Sequence, residues 1–443
     1  MVVADRCFSP GEAPGLTRKV VPPPLDKFRE MTRVFDPIYR PYSDAQDGPG
    51  ASYVAEIHED FRRQFEASLQ LNENAKLLVA GQPGCGKTTM LRSMVQWLRA
   101  QGRVAVFVDL EAQTAVQDLG LVEMHLAAAA EILAGLGLAQ CEVSGESLGA
   151  CADWIRQVDP SEPVATPLEP NALAAEFRRV LTAARDSADL RHTLRMQVSH
   201  GGERDPLQLL GRLLGDLRPR QPVVVLDGLD KLPPEQAREF FLNDKRKPMA
   251  ETPGAAILTI PLSVVYEPGF NVLSERYNNA DSAVLPAVRL YDFDPVKRER
   301  VRSKRGFEVL RRIIEARVAP IDSGIVMHDA VERAIEGSGG NIRELARLMQ
   351  ASIVKSYVRQ GGFIERQDVE AAIADQRESF RRAYQPRFLP VLKKVREEFQ
   401  LENADDIGKL LLYGLWVVEY RNGTTWYSVP ASVEQLLDQL GSG

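Results

Sequence analysis

At 443 residues the chain is long enough for two or three domains, and its 44% hydrophobic and 26% charged content is that of an ordinary globular protein. A net charge of −6 excludes a uniformly basic nucleic-acid coat while leaving room for local basic patches. Four cysteines (Cys7, Cys85, Cys141, Cys151) with no C-x-x-C pair, and histidines at no metal-ligand spacing, exclude a disulfide framework and a zinc module. With no run of about eighteen apolar residues and no signal-peptide core, the expectation is a cytoplasmic protein without membrane association.

Residues 1–50 are rich in Pro and Gly, with Pro22-Pro23-Pro24 and Gly48-Pro49-Gly50, and read as an extended lead-in. Within them Tyr39-Arg40-Pro41-Tyr42 could close over an adenine ring or pack as a surface loop. Residues 55–71 place Ile57, Phe61, Phe65 and Leu69 at intervals of four, the stripe of an amphipathic helix. The apolar run Lys76-Leu77-Leu78-Val79-Ala80 then breaks into Gly81-Gln82-Pro83-Gly84-Cys85-Gly86-Lys87-Thr88-Thr89. After it Met90, Leu91, Met94, Val95 and Leu98 recur at helical spacing.

Residues 104–110 and 222–227 are almost continuously apolar, as strands are when helices cover both sheet faces. The mostly helical stretch between them, about residues 114–220, is too long for a simple crossover and is expected as a helical insertion, broken at Pro160, Pro163, Pro167 and Pro170. A fourth strand is expected over 255–260, before Pro261-Leu262-Ser263, and a fifth near 283–290, before a basic run at 297–305. Strands alternating with helices predict a parallel α/β sheet. Beyond Gly306 helices dominate and include Gly337-Ser338-Gly339-Gly340-Asn341-Ile342-Arg343-Glu344-Leu345. Past 386–390 come two helices and then Asn422-Gly423 between aromatic, β-branched runs, a strong hairpin signal that completes a winged-helix pattern. The expected division is a lead-in (1–50), a P-loop core (51–300), a helical lid (301–380) and a winged helix (381–443), with Trp426 and Tyr427 on the surface as a protein interface.

The glycine-rich stretch reads G-x-x-x-x-G-K-T, the phosphate-binding P-loop. Gly81, Gly84 and Gly86 let successive N–H groups point into one concavity, and the helix that follows adds its positive dipole end. Gly81, Gln82, Pro83, Gly84, Cys85, Gly86, Lys87, Thr88 and Thr89 are the expected cradle for ATP, with Lys87 facing the β- and γ-phosphates and Thr88 ligating Mg²⁺. Asp227, at the end of the third strand, is the expected second Mg²⁺ ligand, directly or through water. Asp230, three residues on, is the expected group to orient or deprotonate the attacking water, with helix capping as its rival. No N-K-x-D guanine signature occurs, which favours ATP. Thr259 or Ser263 could feel the γ-phosphate or be satisfied locally. Arg343 is expected to reach the triphosphate from the lid, against a surface pairing with Glu344. A finger donated by a neighbouring subunit would come from Arg276, Arg289 or the run 298–305.

This order of motifs resembles the AAA+/STAND group of P-loop ATPases over roughly residues 53–429. Leu226-Asp227-Gly228-Leu229-Asp230 is similar to the L-D-G-L-D-E of NACHT-type signalling ATPases, and residues 339–348 resemble the sensor-2 region of Orc1/Cdc6-like initiators. Lys231 departs from the NACHT acid, and Gly228 stands where the commoner AAA+ pattern has a catalytic Glu. The resemblance therefore implies a slowly hydrolysing, homo-oligomeric switch. The first reading is a signalling or defence ATPase acting on a separately encoded effector or partner protein. The alternative is a DNA-associated AAA+ ATPase, an initiator or transposition regulator that assembles on duplex. The few bases of the C-terminal segment, Lys409 and Arg421 against Asp405, Asp406 and Glu419, point to protein contact for the winged helix. The positive residues cluster upstream, at Arg381, Arg382, Arg387, Lys393, Lys394 and Arg396 beside Glu397 and Glu398, and read as a solvated helix face, with contact to a phosphate backbone as the rival.

Overall fold

The computed structural model describes residues 23–37, 54, 56–158, 168–199, 205–243, 249–250, 252–277, 284–294, 296–297, 299–401 and 406–441. Its apolar runs form β1 (Lys76–Gly81), β2 (Ala105–Asp109), β3 (Val223–Asp227), β4 (Ala255–Thr259) and β5 (Val284–Leu285). They lie in the order β2-β3-β4-β1-β5, every neighbouring pair parallel. Alternate residues serve opposite faces of this sheet. Leu78, Val106, Val108, Val224, Leu226 and Leu258 join one buried cluster; Leu77, Val79, Val223, Val225 and Ile257 join another.

Residues 25–34, within the stretch read as extended, form the helix α1 (Leu25–Val34). Its Phe28 and Met31 are buried among lid side chains. The amphipathic helix before the P-loop, α2, starts later than its stripe suggested (Glu59–Leu71). Together with α3 (Lys87–Ala100) it closes one sheet face through Phe65, Leu69, Leu91 and Leu98.

The insertion comprises α4 (Leu110–Gln113), α5 (Leu121–Ala139), α6 (Gly145–Val158), α7 (Pro170–Asp186), α8 (Ala188–Ser199) and α9 (Pro206–Asp216). In α5 Ala127, Ala128, Ala129 and Ala130 are all fully buried, the small side chains of a helix packed on several sides. After β3 come α10 (Pro234–Leu242), α11 (Leu262–Val265) and α12 (Phe270–Arg276). This is an α/β P-loop fold carrying a helical insertion.

The fifth strand is only Val284–Leu285, not the whole of 283–290. Beyond it β6 (Tyr291–Asp294) and β7 (Glu299–Arg302) pair as an antiparallel hairpin that absorbs much of the basic run. The Tyr-Asp-Phe-Asp alternation of β6 carried that signal, and the neighbouring arginines masked it.

The lid consists of α13 (Lys304–Asp322), α14 (His328–Ser338), α15 (Ile342–Val358) and α16 (Arg366–Ala383). The winged helix follows as α17 (Leu389–Glu398), α18 (Asp406–Tyr413), β8 (Val418–Asn422), β9 (Thr424–Ser428) and α19 (Ala431–Gly441). In its hairpin Asn422 faces Thr424 across Gly423. The aromatics expected at the surface are buried. Trp426 is 1% exposed and stacks with Tyr420 and Phe293, at ring separations of 4.6 and 5.4 Å, while Tyr427 joins the same cluster as the sheet. Both faces of the wing are thus covered, and the interface these rings make is with the rest of the chain.

Candidate nucleotide site

β1 delivers Gly81 to the end of the sheet, and α3 begins at Lys87. The loop between them needs left-handed backbone, which Gly84 supplies at φ +84°. A Cβ on Gly84 would overlap the Cβ of Arg343 and lie 2.6 Å from Asn341 Oδ1, so glycine here also allows the close approach of α15.

The Lys87 ammonium is buried. It donates to Gly81 O (2.9 Å) and Gln82 O (3.3 Å) and sits 3.0 Å from Asp230 Oδ2. Burial works against its charge, but the Asp230 carboxylate and neighbouring groups outweigh burial and hold Lys87 above the usual lysine range. The Thr88 hydroxyl donates to Asp227 Oδ2 at 2.7 Å. Burial and then the charge of Asp230 push the Asp227 carboxyl up, against the pull of Thr88 and Lys87.

The structure therefore brings Lys87, Thr88, Asp227 and Asp230 together at the loop. A hydroxyl and a carboxylate side by side are hard oxygen donors, few enough to leave positions for water and phosphate, which suits Mg²⁺. No group of three or more His, Cys, Asp or Glu among the described residues could hold a metal by itself.

Gly228 has φ +99°, and a Cβ on it would meet Glu111 N at 3.2 Å; no acid could occupy that position without strain. Lys231 pairs with Glu111 at the surface.

Three other parts of the chain grip the loop. From the lid, Asn341 Nδ2 donates to Pro83 O (2.8 Å) and the Arg343 main-chain N donates to Gly84 O (3.2 Å). Asn341 also caps α15 by accepting from Arg343 N and Glu344 N. From the segment before α2, His58 Nε2 bonds to Cys85 O at 2.6 Å. Burial lowers the His58 pKa to about 4, so the ring is neutral near neutral pH and Nε2–H donates to the carbonyl. From the winged helix, main-chain groups of residues 412–419 meet the side chain of Gln82. Tyr420 OH in turn donates to Gly339 O at 2.5 Å, joining the wing to the lid turn.

Glu344, the rival partner for Arg343, pairs instead with Arg347 at 2.6 Å. Thr259 donates to Leu226 O, and Ser263 meets Tyr413 OH, so both are satisfied locally. Of the finger candidates, Arg289 pairs with Asp292, Arg300 with Glu434, Arg302 with Glu332 and Arg305 with Glu59, all within the chain. Arg298 and the segment Tyr39 to Tyr42 lie outside the described residues.

His58 and its neighbours also line a cavity of about 620 Å³, together with Val288, Arg289, Arg305 and the wing tip Arg421, Asn422 and Gly423; no residue of 81–89 is in that lining. Sequence reasoning missed His58 and the tie to the loop made by Asn341. Its side-chain contact with Pro83 O spans 258 residues, a separation that no local pattern reports.

Residues 68–115, which run from the end of α2 to the start of the insertion, match the family model described as the type IV secretion-system coupling protein DNA-binding domain. No curated protein sequence matches the chain. Similar solved structures include Cdc6p from Pyrobaculum aerophilum (12% identity, TM-score 0.37, covering 92% of this chain and 98% of that one). The Aeropyrum pernix ORC1 protein in complex with DNA is 15% identical (TM-score 0.39, 92% and 96%). The Aeropyrum pernix ORC2 protein in ADPNP–ADP complexes is 12% identical (TM-score 0.41, 93% and 98%). At these identities and TM-scores no residue role passes from those proteins to this chain, and its chemistry rests on its own P-loop.

Proposed function

We propose that the chain is a Mg²⁺-dependent ATPase of AAA+ type whose nucleotide state sets the docking of its lid and winged helix, with duplex DNA as the partner this controls. The observation that carries the reading is the grip on one loop: residues 82–85 are held at the same time by Gln82, Asn341 and His58 contacts from three parts of the chain. A ligand that rearranges this loop has differential contacts with docked and undocked states, which is what a conformational switch requires.

Lys87 exchanges its contacts with the loop carbonyls for the β- and γ-phosphates. Thr88 and Asp227 hold Mg²⁺, which when bound neutralises phosphate charge. Asp230, released from Lys87, is placed to orient water. The Arg343 guanidinium is half-buried and pairs with no carboxylate among the described residues, leaving it available to the triphosphate. The cavity beside His58 is of a size for a nucleoside.

Two observations support DNA over a separate effector. The family matched at residues 68–115 is described by its DNA-binding domain, and Arg381, Arg382 and Arg387 are exposed where α16 leads into the winged helix. Lys409 on α18 is paired with Glu267 of the core at 3.0 Å, so the docked winged helix does not present it and DNA contact calls for undocking. Duplex binding by the full chain, with and without ATP at several salt concentrations, tests this. Affinity that changes with nucleotide and falls steeply with salt is expected. Equal affinity in both nucleotide states, or none, would remove DNA as the output.

A further inference from the structure

We propose that Gln82 is a positioning residue that couples nucleotide affinity to winged-helix docking, an inference that rests on the nucleotide reading above. A P-loop uses the main chain of its variable positions to cradle phosphate. The side chain at 82 is therefore free for another task. Its amide nitrogen donates to Leu412 O (2.9 Å) and Val417 O (2.7 Å), and its oxygen accepts from Glu419 N (2.9 Å). Two carbonyls and one N–H around the amide fix which end is which. The three partners span the end of α18 and the start of β8, and Gln82 is only 2% exposed.

The carbonyl of the same residue accepts from Lys87 Nζ. Nucleotide that draws Lys87 toward phosphate therefore changes hydrogen bonding on the residue whose side chain holds the winged helix. In the other direction, a docked winged helix presets the loop and spares triphosphate binding the cost of ordering it. Coupling of this kind acts equally both ways.

The winged helix has further attachments that do not touch the loop. Lys409 pairs with Glu267, and Tyr266 OH donates to Glu419 Oε2 at 2.5 Å. They allow docking to be weakened without changing a residue of the loop.

The test uses the full chain in three forms: parent, Gln82→Met, and the double variant Lys409→Ala with Tyr266→Phe. Gln82→Met keeps side-chain length and removes all three bonds; the double variant leaves the loop untouched and keeps the question open should Gln82→Met fold poorly. ATP with Mg²⁺ is titrated by calorimetry, and docking is read as the distance distribution between a label on an exposed face of α19 and one on the insertion. Both variants should broaden the distribution and weaken ATP about fivefold or more, while ATP narrows the distribution of the parent. The coupling is overturned if Gln82→Met binds ATP as the parent does, or if the double variant broadens the distribution with ATP affinity unchanged. A parent that binds no ATP overturns the nucleotide reading itself, an outcome distinct from parent and variants that bind equally well.

Discussion

Lys87 keeps a charged ammonium in a pocket where its counter-charge is Asp230, 3.0 Å away and itself partly exposed. Asp230→Asn leaves that cation with loop carbonyls alone and should cost about 2 kcal/mol in the ligand-free protein, below the usual figure for breaking a fully buried pair. A triphosphate brings negative charge to the same ammonium, so ATP should close most of the gap; denaturant midpoints with and without ATP measure both. ATP turnover by Asp230→Asn should fall sharply even though binding survives. Lys87→Ala leaves Asp227 and Asp230 facing the phosphates without their cation, and calorimetry should find most ATP affinity gone. Lys87, Thr88, Asp227 and Asp230 were legible because each belongs to a short motif whose chemistry is local. The ties of Gln82 and Asn341 to distant segments were not, because their partners are main-chain groups that any residue could supply.

The strands of the sheet were legible as elements because burial on both faces demands unbroken apolar runs. A two-residue β5 at the edge of the sheet leaves no such run to read. For the wing, alternation assigns Tyr420 and Trp426 to one face and Tyr427 to the other, but period two says nothing about what covers a face. Here one side packs on Ala287 and Phe293 and the other joins the main core, so rings read as a surface became interior. The turn after β3 yields a prediction of its own. Placing an acid there by Gly228→Glu forces a side chain into left-handed backbone beside Glu111 N and should cost about 2 kcal/mol in chemical denaturation. No gain in ATP turnover is expected, because the strained residue would displace the turn that carries Asp230.

For the molecule as a whole, two histidines set an acid limit. Burial lowers both His125 in α5 and His58 from the ordinary 6.5 to about 4, so each is neutral when folded. Between pH 6.5 and 4 the unfolded chain binds more protons than the folded one, so their stabilising contribution is complete above pH 6.5 and is lost as pH falls through 4. His125 is 3% exposed and its Nε2 has no partner among the described residues. It alone should account for about 2 kcal/mol of the loss by pH 4.5. Denaturation at pH 7.5 and 4.5 should show that loss in the parent and a smaller one in His125→Leu. The packing of Trp426 has an optical consequence. One of four tryptophans in the chain, it lies between Tyr420 of its own domain and Phe293 of the β6 strand, with an indole N–H that bonds to nothing among the described residues. Detachment of the winged helix removes the Phe293 ring and admits water to that N–H, which shifts its emission to the red. The chain carries its own fluorescent gauge of the movement proposed for it, readable in a cuvette without a label.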